Sequence, residues 1–313
     1  KESKLGLAQG QNPADILAAF FDKHTSLQTE KERIDFMFSV IQYVERQVVL
    51  YDSVEDAAFS DLHADDAPLN IADYLKLDST SDSREDIMAW LASFSVRIVF
   101  TAHPTQFYTP SVLDIIARLR LLIKQNNIGD IDTTLQQLGL TSLINSKKPT
   151  PLDEAKNIIY YLRNVYYDAI GEFYAKLSSV LGADQIHNHN IVKLGFWPCG
   201  DRDGNPFVTA DSTWQVANEL RTTLMKCYYN DVKSLQKKLS FRGVEEPLSD
   251  LRNSIYDTMF DHTKVLTYDQ IHQPLLDIKT TLSQEYNEMY MADLDMLINK
   301  VAIFKTHFAS LDI

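Results

Sequence analysis

Apolar residues recur every three to four positions along most of this chain, the spacing of helices with one buried face. Asn12 followed by Pro13 reads as an N-cap and a first-turn proline, with Ile16, Leu17, Phe20 and Phe21 on one face. The next stripe, Ile34, Met37, Phe38, Ile41, Val44 and Val48, predicts a helix from Glu30 to about Leu50. Residues 51–85 lose that period. They are acidic, Ser-rich and contain Pro68, and read as a loop or mobile connection with short helical pieces. Ile87, Trp90, Leu91 and Phe94 restore the helical spacing over Asp86–Ser95, and a further helix is expected from about Ser111 to Gln125. Thr150, Pro151 and Asp153 supply a cap, a first residue and a capping-box partner, opening a helix whose apolar positions continue to about Leu181. Asp211 is expected to cap a helix reaching Ser240, and two more fit between Pro247 and Ala309.

Two short segments break the helical rule. Residues 97–100 (RIVF) and 191–197 (IVKLGFW) are β-favouring runs that end at Thr101 and Pro198. Gly195, Gly200 and Gly204 cluster at the second run, and Pro104, Pro110, Pro198 and Pro206 lie just beyond the two. The chain has only 10 glycines in 313 residues, about 3% against a usual ~7%. That scarcity excludes turn-rich β sandwiches and makes this concentration of turn-formers conspicuous. The expected fold is mainly α, with long helices and a few short strands. No clear linker or fixed-period repeat divides residues 1–313.

Charge and cysteine content narrow the functions. With 43 acidic and 30 basic side chains the net charge is −13, which argues against nucleic acid or an anionic membrane as a partner. A small anion in a local basic pocket remains compatible. Two cysteines, Cys199 and Cys227, are too few for a disulfide framework or a four-thiolate zinc site. No run of 18 apolar residues marks a membrane span, and the first residues lack the apolar centre of a signal peptide. A cytoplasmic protein is expected.

Candidate chemistry gathers where the two strand-like runs end. In FTAHPTQ (Phe100–Gln106), Pro104 restricts His103 to extended backbone, so a strand would present the imidazole at its carboxyl end. An imidazole there can exchange a proton near neutral pH, or can simply pack under a turn. In GFWPCGDRDGNP (Gly195–Pro206), an extended backbone would put Asp201 and Asp203 on one face and Arg202 on the other. Gly204-Asn205-Pro206 then forces a tight turn. Two acids around an arginine suit a metal or phosphate site, or an ion-pair network that locks the turn. Trp197 could wall a small dry pocket or belong to the core. His187 and His189 lack the companions of a metal site and read as loop residues. Tyr160, Tyr161, Tyr166, Tyr167 and Tyr174 read as a helix packed on several sides. Phosphate-loop, dinucleotide-loop, zinc-protease and serine-hydrolase motifs are absent from the sequence.

FTAHPTQ and GDRDGNP, in this order and at this separation, resemble the phosphoenolpyruvate carboxylase family. KPTPLDEA (Lys148–Ala155) and VAIFKTHFASLDI (Val301–Ile313) are similar to two further family segments. The resemblance implies helices around an α/β-barrel, to which the short strands would belong, and a cytoplasmic homotetramer dependent on magnesium or manganese. Phosphoenolpyruvate and bicarbonate are the implied substrates. They react through carboxyphosphate and an enolate to oxaloacetate and phosphate, an anaplerotic fixation of carbon dioxide that feeds the tricarboxylic acid cycle. His103 matches the histidine implied to take the carboxyphosphate proton, and Trp197 a tryptophan of the bicarbonate pocket. Arg202 would offer charge to anionic intermediates, while Gly200, Asp201, Asp203, Gly204 and Asn205 border the site.

Departures limit what carries over. Cys199 stands where the family usually has a second glycine. Phe107-Tyr108-Thr109 replaces a segment in which many members carry arginines, and Lys156 replaces a usual arginine. In the family an arginine that grips the substrate follows LDI, and the metal ligands lie further on, so none is expected up to Ile313. The 313 residues are accordingly expected to be an N-terminal part of the enzyme, inactive alone. The alternatives are a helical regulatory or interaction protein that kept the scaffold, and an enzyme whose His103 accepts phosphate.

Overall fold

The computed structural model describes residues 2–62, 81–101, 108–143, 149–181, 186–202, 204–261 and 263–312. In chain order its elements are α1 (Glu2–Ala8), α2 (Pro13–His24), α3 (Glu30–Leu62), α4 (Ser81–Ser93), β1 (Val96–Phe100), α5 (Pro110–Lys124), α6 (Ile128–Leu140) and α7 (Pro151–Tyr161). A π-helical turn (Leu162–Tyr166) joins α7 to α8 (Tyr167–Leu181). There follow β2 (Val192–Phe196), α9 (Ala210–Lys238), α10 (Glu245–Phe260), α11 (Tyr268–Glu285), α12 (Met291–Phe304) and β3 (Ser310–Leu311). The fold is mainly α with a three-stranded parallel sheet. Its elements form two compact units, one of α1–α3, α5 and α6, the other of the sheet and the remaining helices. The chain passes between them more than once, which is why no single linker marks the division in the sequence.

In the first unit, Asn12 Oδ1 accepts the Ala14 amide at 3.0 Å and Pro13 opens α2. Helix α3 runs on to Leu62, so residues 51–62 are helix where loss of apolar period predicts loop. The stripe that carries it is made of small residues: Val49, Ser53 and Ala57 are buried at four-residue spacing. Ser53 satisfies its hydroxyl by donating to the Val49 carbonyl at 2.8 Å. Residues 63–80 of that stretch lie outside the described residues, and 81–85 are helix as well, the first turn of α4, which starts at Ser81 and not at Asp86. Val112, Ile115, Leu119 and Leu122 bury one face of α5. Helix α6 is an addition to the sequence reading. Asn127, accepting from the Asp130 amide, is the signal that could have disclosed it.

In the second unit, Thr150 and Asp153 form the expected capping box, and the helix extends to Leu181 as α7, the π turn and α8. Helix α9 is capped by Thr209, which pairs reciprocally with Ser212, and not by Asp211, which lies in the first turn. Three helices, not two, follow. Asn287, Glu288 and Tyr290 turn the chain between α11 and α12 with positive φ and no glycine, so the sequence carries no ordinary turn signal there.

One buried cation ties three of these helices. Lys300 on α12 is 4% exposed, and its Nζ reaches Asp168 Oδ1 (2.8 Å) on α8 and Asp231 Oδ2 (3.1 Å) on α9. It also sits 4.0 Å over the Tyr167 ring, whose hydroxyl donates to Asp231 at 2.7 Å. Each remaining hydrogen of the ammonium thus finds negative charge or a π face.

The sheet is registered from its amino end. Asn188 Nδ2 donates to the carbonyls of Leu91 and Phe94, both at 2.8 Å, and the Ile191 amide donates to Tyr174 Oη at 3.0 Å. These bonds fix the loop before β2 against the end of α4, and Val96 then pairs with Val192 through to Phe100 with Phe196. On the other side of β2, Gly195 pairs with Ser310 and Phe196 with Leu311. Ile98, Phe100, Leu194, Phe196 and Leu311 pack on the helical core. The alternate positions Arg97, Val99 and Lys193 form the exposed face.

Candidate active site

All three strands are parallel, so their carboxyl ends share one edge, the edge at which α/β sheets gather reacting groups. The Trp197 amide donates to the Phe100 carbonyl at 2.9 Å, and the Asp312 amide to the Phe196 carbonyl at 3.1 Å. Thr101, Trp197 and Asp312 therefore leave the sheet side by side. Across the exposed face Arg97 on β1 passes over Gly195 on β2 and pairs with the Asp312 carboxylate. A Cβ at Gly195 would lie 3.0 Å from the Arg97 guanidinium. The other Asp312 oxygen, Oδ2, is buried and has no hydrogen-bond partner among the described residues.

The loop that leaves β2 is tightly made. Gly200 and Asp201 both donate their amides to the Trp197 carbonyl, at 2.8 and 3.1 Å. Cys199, between Trp197 and Gly200, is buried with φ 59°, a left-handed conformation natural to glycine. Its carbonyl accepts the Thr213 hydroxyl at 2.5 Å, which ties the loop to α9. Gly200 is fixed by proximity, since a Cβ there would come within 2.2 Å of the Asp312 carbonyl oxygen. The loop closes in a turn through Gly204 (φ 70°), where Asn205 Oδ1 accepts the Phe207 amide at 3.0 Å.

Of the sequence-predicted residues, Trp197 stands at the strand edge, 46% exposed, with Gly200 behind it. Asp201, Arg202, Gly204 and Asn205 are exposed along the loop. His103 and Asp203 lie outside the described residues, and with them the alignment of Asp201 and Asp203 on one face. Burial pushes the Cys199 thiol up, only partly offset by a hydrogen bond with Ser212, which makes it a poor nucleophile. Among the described residues no three His, Cys, Asp or Glu side chains gather to hold a metal ion. Sequence reasoning missed the Arg97–Asp312 pair, because its partners lie 215 positions apart. The signal that could have found it is Gly195, a strand-interior glycine marking close approach.

The family profile for phosphoenolpyruvate carboxylase matches residues 34–264. The chain belongs to the phosphoenolpyruvate carboxylase family. The match begins before FTAHPTQ, spans GDRDGNP, and ends before the segment Val301–Ile313. Among similar proteins, the phosphoenolpyruvate carboxylase of Aeromonas salmonicida is 29% identical over 205 residues, covering 60% of this chain and 23% of that protein. That of Vibrio parahaemolyticus is 25% identical over 285 residues, 77% of this chain and 32% of its own length. Phosphoenolpyruvate carboxylase 1 of Chlamydomonas reinhardtii is 31% identical over 183 residues, 53% and 19% respectively. The chain thus spans about a fifth to a third of the phosphoenolpyruvate carboxylases it matches.

Proposed function

We propose that this chain forms the bicarbonate-handling part of a phosphoenolpyruvate carboxylase, with His103 as its proton-transferring residue. The observation that carries this reading is the Trp197–Phe100 hydrogen bond in a chain of this family. It sets the two strand ends that emit FTAHPTQ and GDRDGNP next to one another. A bicarbonate oxygen attacks phosphorus, the bond from phosphorus to the enolate oxygen breaks, and carboxyphosphate forms. His103 takes the carboxyl proton; the carbon–oxygen bond then breaks to give carbon dioxide and phosphate, which recovers the proton. The enolate carbon attacks the carbon dioxide to give oxaloacetate. Trp197 shields the site from water, and Arg202 supplies positive charge to the anions formed on the way. The tight Cys199–Gly200 turn on Asp312 keeps these groups from drifting between the two steps.

The magnesium or manganese that the family implies would steady charge on the enolate, but the described residues offer no ligand set for it. The complete protein is proposed to be a cytoplasmic homotetramer, and no helix described is long and apolar enough to cross a membrane. The test is His103→Asn in the complete enzyme. Oxaloacetate formation is expected to vanish while some bicarbonate-dependent phosphate release persists, because phosphoryl transfer precedes the step assigned to His103. Undiminished oxaloacetate would overturn the role. The 313-residue chain alone, given metal and both substrates, is expected to make no oxaloacetate; turnover by it would refute that expectation.

A further inference from the structure

A basic cavity of about 280 Å3 opens at the amino-terminal end of the sheet, between the start of β2 and the connection from α12 to β3. Lys193, Lys305, His307, Asn190 and Ser310 give it polar walls, and Ile303 is among the apolar residues opposite. Among the described residues no carboxylate lines it, although the chain carries a net charge of −13. It is not the candidate active site. Lys193 lies at the start of β2 and Trp197 directly follows its end, four residues on, about 13 Å along an extended chain.

Lys305 shows that the cavity is built. Its backbone has φ 55° and ψ −105°, outside the regions that a residue with a Cβ occupies at ease. Glycine would adopt this conformation without strain, yet a lysine stands here. The strain is held by the fully buried Tyr228, whose hydroxyl donates to the Lys305 carbonyl at 3.1 Å. The Lys305 amide closes α12 on the Val301 carbonyl at 2.9 Å. Burial and then Lys305 hold His307 below the ordinary histidine range; burial, His272, His187 and Lys305 do the same to His189. Among the described residues no carboxylate opposes either shift.

We propose that this cavity binds a small phosphate-bearing anion. Two ammonium groups, an imidazole, an amide and a hydroxyl surround phosphate oxygens with charge-assisted and neutral donors. The apolar wall leaves room for a short carbon chain. Binding would draw Lys305 and Lys193 together and so join the α12–β3 connection to β2.

Calorimetric titration of the 313-residue chain with inorganic phosphate and with glycerol 3-phosphate tests this. One saturable site is expected, weakened about tenfold or more by Lys305→Gly and by Lys193→Gln. Lys305→Gly without ligand should melt no lower than the parent, because it relaxes a strained position. Arg202→Gln, at the other end of the sheet, should leave binding intact. Absence of saturable binding, binding unaltered in both lysine variants, or loss with Arg202→Gln instead, would each overturn the proposal.

Discussion

Two adjacent residues of the loop after β2 answer to different physics. Cys199 is strained by its φ of 59°, whereas Gly200 is confined by the Asp312 carbonyl 2.2 Å from where its Cβ would stand. Substitutions should therefore act in opposite directions. Gly200→Ala drives backbone against backbone and is expected to lower stability by about 1–3 kcal/mol. Cys199→Gly releases a left-handed residue, which offsets the lost burial of a thiol, so it should be neutral or slightly stabilising. Urea denaturation followed by circular dichroism reads both. A harmless Gly200→Ala would show that the approach to Asp312 is not a constraint.

At the scale of elements, the junction of α8, α9 and α12 couples a glycine to a buried lysine. A Cβ at Gly171 would lie 2.7 Å from Lys300 Cε, so Gly171→Ala should destabilise the parent. In a Lys300→Ala background the obstruction is gone and helix propensity takes over, making the same change stabilising by about 0.5–1 kcal/mol. A double-mutant cycle that found simple additivity would dissolve the coupling. Such junctions were invisible in the sequence, whereas local signals were plain. Asn12-Pro13 and Thr150-Pro151-Asp153 announced their helices because a cap is made by residues that are neighbours in the chain. The two β-favouring runs came out as β1 and β2, and GFWPCGDRDGNP was legible as a turn-rich loop. The far half of α3 was hidden because its buried face is Val49, Ser53 and Ala57, too small and polar to mark an apolar stripe. Strand β3 has two residues, too few to show any period, and exists through its pairing with β2.

For the whole molecule, acid sensitivity follows from its half-buried imidazoles. His189, His272 and His307 are all held below the ordinary histidine value, in each case chiefly by burial. Lys305, His187 and His272 add positive charge around His189, Lys305 does so for His307, and Asp269 opposes the shift only at His272. The unfolded chain, with imidazoles near ~6.5, binds protons more readily than the folded one. Stability from these groups is complete above that value and is lost as pH falls through it towards the depressed folded values. The melting temperature should drop by a few degrees between pH 8 and 5.5, less in a His189→Gln/His307→Gln variant. An equally steep profile in that variant would assign the sensitivity elsewhere. The pairing of Val96 with Val192 has a different consequence, one in time. The chain emerges amino end first, so β1 must wait for some ninety residues, about five to twenty seconds of synthesis at ordinary rates, before its partner exists. Helices α7 and α8 can form during that interval from their own caps and apolar faces. The edge carrying the candidate chemistry takes shape only once β2 and β3 have been made, and until then β1 offers a nascent-chain chaperone an unpaired strand.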